Sequence, residues 1–326
     1  MSSPTLAPGF KNRRTGLIVL GALGILLGFF AALAMLMMVV ALALPRPVGM
    51  PRQDLRMILP ALLVYGALAV AFVWLGIGSI MARRWARALW LVVSWSWLLV
   101  GLVAFAAMAF VLPKMFAPGS AGPRPPPAAQ AIAIVVMLVI WSVFFVLIPA
   151  ALVAFYRSRH VEATVVAYDP VRRWTDACPL SVLALSLWTG YGAVSMLAMP
   201  LWSNGVFPLF GVLLSGLAGQ AAQVGLAVLW AWLSWALYRM KPEAWWTTLG
   251  VLALFSVSNV LTFLRVDILQ MYRLMGYDEA MIQLMGQQEL LGRGLLLGSS
   301  LVFLPILGYL LYVKRHFRPT GAAAPT

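Results

Sequence analysis

An all-α membrane protein, with eight transmembrane helices arranged as two parallel four-helix repeats, is the fold class this sequence predicts. Three observations carry it. Of 326 residues, 63% are hydrophobic and 10% charged, with a mean hydropathy of +0.94, so the bilayer and not water is the expected solvent. Eight apolar runs reach the roughly 20 residues needed to span a hydrocarbon core at about 1.5 Å per residue. The chain also matches itself when displaced by 156 positions.

The elements follow in order. Residues 1–15 form a basic cytoplasmic N-terminus. Lys11, Arg13 and Arg14 precede an apolar stretch much longer than a signal-peptide core of about 7 to 15 residues, so it is read as a retained anchor. The first repeat, 16–160, holds spans at 16–44, 59–80, 88–112 and 130–155. A cytoplasmic linker, 161–179, leads to the second repeat, 180–316, with spans at 180–199, 207–237, 245–264 and 295–313, and 317–326 is a cytoplasmic tail. No span contains Asp, Glu, Lys, Arg or His. Pro45, Pro47 and Pro51, and then Pro123 to Pro127, punctuate the first half.

Fifteen of the 23 Lys and Arg residues fall on the side shared by both termini, which places the termini in the cytoplasm. Few Lys among many Ala, Gly, Pro and Arg point to a GC-rich bacterial genome, hence a bacterial inner membrane. Trp85, Trp90, Trp245 and Trp246 lie at expected membrane boundaries. The net charge of +14 is distributed between apolar runs and forms no contiguous patch, so the expected partner is the lipid bilayer and not nucleic acid. Cys178 is the single cysteine, which excludes an internal disulfide and a multi-cysteine metal centre, and no cofactor is expected.

The ungapped self-match pairs Trp74 with Trp230, Arg83 with Arg239, Trp90 with Trp246, Pro149 with Pro305 and Tyr156 with Tyr312. It also pairs the chain's only two histidines, His160 and His316, and their neighbours Arg159 and Arg315. An even number of helices per repeat makes both copies enter the membrane in the same sense. At an offset of 155, Leu42 to Pro45 matches Leu197 to Pro200.

Within the linker, Val161 to Tyr168 alternates as a short strand would, and Asp169-Pro170 reads as a turn. Pro179 suits the start of the fifth span, with Thr175, Asp176 or Cys178 available to cap its free amides. The stretch Arg173-Trp174-Thr175-Asp176-Ala177-Cys178-Pro179-Leu180 resembles a cytoplasmic loop of bacterial multi-pass membrane proteins to which no activity is assigned. The resemblance covers one loop and implies no function.

Two sets of candidate site residues emerge. Tyr156, Arg159, His160 and their counterparts Tyr312, Arg315, His316 recur as Pro-x6-Tyr-x2-Arg-His, either as a paired site for anionic lipid headgroups or as ordinary boundary anchors. The second repeat alone carries Gln220 and Gln223, and then Ser256, Asn259 and Thr262, each set at a spacing of three. Such residues either line a polar pocket or hydrogen-bond across helices as packing glue. The external segment 266–292 reads as amphipathic helix, restarting at Asp278 after Gly276, with Met271, Met275, Met281 and Met285 on its apolar side. Thioether binding of Cu(I) by those methionines stands behind simple interfacial packing.

The spans' lack of carboxylates argues against a proton relay and aspartyl proteolysis, and the His-Glu-x-x-His pattern of zinc hydrolysis is missing. A catalytic residue is therefore not assigned. The expected function is a carrier or permease for a small neutral or amphipathic solute. The alternative is a non-catalytic subunit, scaffold or assembly factor with a membrane-protein partner or a second copy of itself.

Overall fold

The computed structural model describes residues 9–44, 55–115, 126–287 and 303–317. Seven of its helices are long and apolar enough to cross a membrane, which is consistent with an all-α membrane protein. They are α1 (Arg14–Ala43), α2 (Leu55–Ile80), α3 (Arg84–Met115), α4 (Pro127–Arg157), α6 (Leu180–Ala198), α7 (Gly216–Tyr238) and α8 (Pro242–Arg265), with α5 (Arg159–Tyr168) between the fourth and fifth. Two short helices, α9 (Ile268–Leu274) and α10 (Glu279–Gln287), follow. Residues 295–302 of the eighth expected span lie outside the described residues. Its described part is α11 (Phe303–Val313), which runs on into a 3-10 turn, Lys314–Phe317.

Contacts divide the chain into two units, Met1–Phe30 with Leu68–Asp176, and Ala31–Ala67 with Ala177–Thr326. In the first, glycines let helices touch backbone to backbone. A Cβ on Gly21 of α1 would meet the Gly76 carbonyl of α2 at 2.7 Å, and one on Gly76 would meet the Gly21 carbonyl at 2.5 Å. Four helices then converge on one polar knot. Ser79 donates to the Leu17 carbonyl (2.9 Å) and shares a hydrogen bond with the Tyr156 hydroxyl (2.7 Å). Trp90 donates its indole N–H to the Leu75 carbonyl (3.1 Å) and stacks on Tyr156 at 5.6 Å.

Helix α4 accommodates its internal proline through a π-bulge at Val143–Leu147. Pro149 has no N–H for the carbonyl four residues earlier, that of Phe145, and its ring pushes that turn open. The Phe145 carbonyl lies against Gly101 of α3, where there is no room for a Cβ. The bulge thus has its cause in Pro149 and its matching hollow in Gly101.

The linker corrects the strand reading of Val161 to Tyr168, which is helical as α5. Val161, Thr164 and Val165 face inward at spacings of three and one, a helical face that the apparent alternation concealed. Ser158, extended at ψ 133°, separates α5 from α4. Pro179 stands at the N-cap of α6 with no side chain capping it. Asp176 instead accepts the Arg173 N–H (2.9 Å) and pairs with Arg84 (3.2 Å), so the expected cap by Thr175, Asp176 or Cys178 is corrected as well.

The second unit holds the largest departure from expectation. The expected span 207–237 is helical only from Gly216. Before it, Phe207–Leu209 (β1) and Val212–Leu214 (β2) form an antiparallel hairpin with Leu209 opposite Val212. Its two turn residues, Phe210 and Gly211, both have positive φ (49° and 80°), the combination that matches the twist of a two-residue hairpin. Asn204 and Gly205, also at positive φ, end the single turn Pro200–Ser203 that follows α6. These residues and Pro208 stop the helix that an apolar count alone would continue.

Helices α6 and α7 are joined by a reciprocal pair, Ser186 donating to the Ser234 carbonyl and Ser234 to the Ser186 carbonyl, both at 2.8 Å. As the methionine spacing and Gly276 predict, 268–287 forms two helices. Asp267 accepts the Leu269 N–H to start α9, and Arg273 bridges to Glu279 across the Gly276 turn (3.1 Å).

Candidate functional site

The polar side chains of the second unit gather around the hairpin. Gln223, on α7, is completely buried. Its Nε2 donates to the Ser203 hydroxyl (3.0 Å) and to the Val206 carbonyl (3.2 Å), tying α7 to the chain entering β1. Its Oε1 has no hydrogen-bond partner among the described residues. A buried acceptor left so costs about 1 to 3 kcal/mol unless water or a ligand donor reaches it. One turn earlier, Gly219 presses against the Gly205 carbonyl, where no Cβ would fit, which lets the two backbones meet beneath the hairpin.

At the hairpin's other end, α8 supplies acceptors to amides that the two-residue turn leaves open. Phe210 N–H donates to the Ser258 hydroxyl (2.9 Å) and Gly211 N–H to the Thr262 hydroxyl (3.3 Å). Ser258 and Thr262 are buried and four residues apart, one helical face.

Of the five residues expected here, Gln223 and Thr262 join this arrangement. Gln220 is exposed and lies over Gly205, while Ser256 and Asn259 are half-buried on α8. Sequence reasoning overlooked Ser203 and Ser258. The spacing of four from Ser258 to Thr262 was present in the sequence, but the set spaced by three drew the reading to Ser256. Ser203 was hidden because the segment before Gly216 was read as loop and helix.

The headgroup set divides. Around α11, Tyr312 is 54% exposed, its hydroxyl accepts from Arg315 (2.6 Å), and Arg315 lies 3.3 Å from His316. In the first unit Arg159 is exposed and His160 accepts the Lys11 N–H (3.3 Å), but Tyr156 is fully buried in the knot with Ser79 and Trp90. Tyr156 is therefore withdrawn as a headgroup ligand, because its hydroxyl is committed inside the helix packing. The Trp90 and Trp246 pairing also joins unlike surroundings. Trp246 is 61% exposed, and it is Trp245 that is buried and donates its indole N–H, to the Leu310 carbonyl (2.8 Å).

Between α4 and α6, Asp169 accepts from Arg173 (2.8 and 3.1 Å) and from the Arg84 N–H (3.2 Å), with Arg83 3.8 Å away. These partners, Arg173 foremost, hold its carboxyl below the usual carboxylate range. Hydrogen bonds from Arg14 and Asn12 lower the Tyr168 phenol. Burial pushes the Cys178 thiol up to about 11, so the thiolate that a reactive role requires is scarce at neutral pH. Among the described residues no three His, Cys, Asp or Glu side chains gather as metal ligands.

Comparison with protein-family models, with curated proteins and with solved structures returns no match to this chain.

Proposed function

We propose that the chain is an eight-span protein of a bacterial inner membrane, built of two parallel four-helix repeats with both termini cytoplasmic. In this reading it carries a small neutral or amphipathic solute past the hairpin of the second repeat. The observation that carries the reading is the unpaired Oε1 of Gln223, buried beside the Ser203 hydroxyl at the base of the hairpin. A solute hydroxyl or amide N–H would supply the missing donor.

The hairpin supports the same reading. Ser258 is seven residues from the end of α8, about 10 Å at the helical rise, so the tip reaches well below the ends of the helices. Irregular backbone at such depth is tolerated where it is enclosed by protein or lines a polar passage. The side chains that gather here, Gln223, Ser203, Ser258 and Thr262, are uncharged, with Arg265 lying against Gly211 at the outer end, and they suit an uncharged solute.

Proteoliposomes test it. Uptake of glycerol, short diols and amino alcohols is followed by light scattering, with Gln223→Met as the variant. A loss of uptake of tenfold or more, at about 1.4 kcal/mol per tenfold, in protein that still melts cooperatively a few degrees lower is the expected result. Equal uptake by both proteins removes Gln223 from the path.

A second reading, a non-catalytic subunit or scaffold, rests on a different observation: the Gln223 amide, Ser258 and Thr262 all bond to the chain's own groups. It requires a companion chain or a second copy to survive gentle detergent extraction. A lone monomer at every detergent-to-protein ratio would remove that reading.

A further inference from the structure

The segment from Ser158 to Pro179 leaves one membrane-length helix and returns to the next, α6, so both its ends are fixed at span termini. Its charges are sorted. All three of its carboxylates, Glu162, Asp169 and Asp176, are taken by arginines, namely Arg87, Arg83, Arg84 and Arg173. The exposed Arg157, Arg159 and Arg172 have no ion-pair partner among the described residues. Apolar groups stand exposed beside them, Val171 at 60% and Trp174 at 45%. Uncompensated cations next to an exposed valine and indole make a surface with two requirements, anions and a partly apolar medium.

We propose that α5 and the loop after it form a docking surface for anionic phospholipid in the adjacent leaflet. The guanidinium groups of Arg159 and Arg172, close to the two ends of α5, bind phosphodiester oxygens, while Val171 and the Trp174 ring enter the headgroup boundary. α5 spans about 15 Å, with Arg159 opening it and Arg172 four residues past its C-terminus, so the two cations need not share one lipid molecule. This surface replaces the headgroup site expected around Tyr156 and does not depend on the transport reading.

A nitroxide attached through Val171→Cys in the full-length protein tests it, with buried Cys178 left unlabelled. The protein is placed in nanodiscs of phosphatidylcholine alone or of phosphatidylcholine with phosphatidylglycerol. With phosphatidylglycerol the label should collide more with oxygen and less with a water-soluble nickel chelate. Arg159→Gln with Arg172→Gln should return it to the reading in phosphatidylcholine alone. Native mass spectrometry of the same samples should show the preference for phosphatidylglycerol falling about fivefold per arginine removed. A label equally open to the nickel chelate in both lipids overturns the proposal. So does a label shielded from both reagents whatever the lipid, which would mark a protein contact instead.

Discussion

Single residues here often have surroundings opposite to those their neighbours in sequence suggest. Cys178 sits in a loop rich in charge, yet it is buried and its thiol is raised to about 11. Maleimide should modify it in the folded protein at least about a hundredfold more slowly than after unfolding in SDS, as both low thiolate and low access require. Comparable rates in the two states would show that the loop opens. Asp169 is the linker's buried carboxylate, and its lowered pKa fixes a pH dependence. Its stabilisation is fully present above the unfolded carboxylate value of about 3.9 and is lost as pH falls through the lower folded value. Asp169→Asn should cost about 2 kcal/mol at pH 7, and the gap between its melting curve and that of the parent protein should begin to narrow below about pH 4 and go on closing as the pH falls through the lowered folded value. A difference that stays the same from pH 7 down into the acid range, however low the pH, would mean that the carboxylate charge is not what Arg173 holds.

Helices were legible in seven of the long apolar runs, because lipid demands that backbone groups bond within their own segment. α1 and α6 begin within two residues of their expected starts. Where two solvents or a tertiary neighbour decide, the sequence was a weaker guide. The hairpin is as apolar as the helix it interrupts, and only Gly205, Pro208 and Gly211 betray it. α5 was misread because the alternation of Val161 to Tyr168 concealed the helical spacing of Val161, Thr164 and Val165. The hairpin's hold on α8 is testable at this scale. Ser258→Ala combined with Thr262→Val removes both acceptors from the turn amides, at about 2 kcal/mol in all. Hydrogen exchange at Phe210 and Gly211 should accelerate roughly tenfold or more while α6 keeps its protection. Unchanged exchange at those two amides would mean that another contact fixes the turn.

For the whole molecule, composition alone identified the bilayer as solvent, and the seven long helices agree with that. The repeat is a harder matter. The turns after α2 and α7 share one hydrogen-bond pattern, Arg83 N–H to the Gly78 carbonyl and Lys241 N–H to the Ala236 carbonyl, each with a left-handed residue, Ala82 or Met240. They are 158 positions apart, whereas the histidines are 156 apart and the buried tryptophans Trp90 and Trp245 are 155 apart. An ungapped alignment therefore pairs Arg83 with Arg239, although Lys241 occupies the matching place in the turn. Reporter fusions test the shared orientation. Fluorescent-protein fusions at either terminus should be bright and alkaline phosphatase fusions inactive, with the reverse for phosphatase inserted after Leu274. An active phosphatase at one terminus only would imply an odd number of crossings and end the parallel arrangement.

The bulge in α4 bears on how the protein is made. Inserted alone, α4 would leave the widened turn around the Phe145 carbonyl open to lipid tails that do not match its shape. Gly101 covers that carbonyl only when α3 is alongside. The two helices are thus better delivered to the membrane as a pair, and a larger residue at position 101 should act first on the yield of inserted protein, before any effect on what the mature protein does.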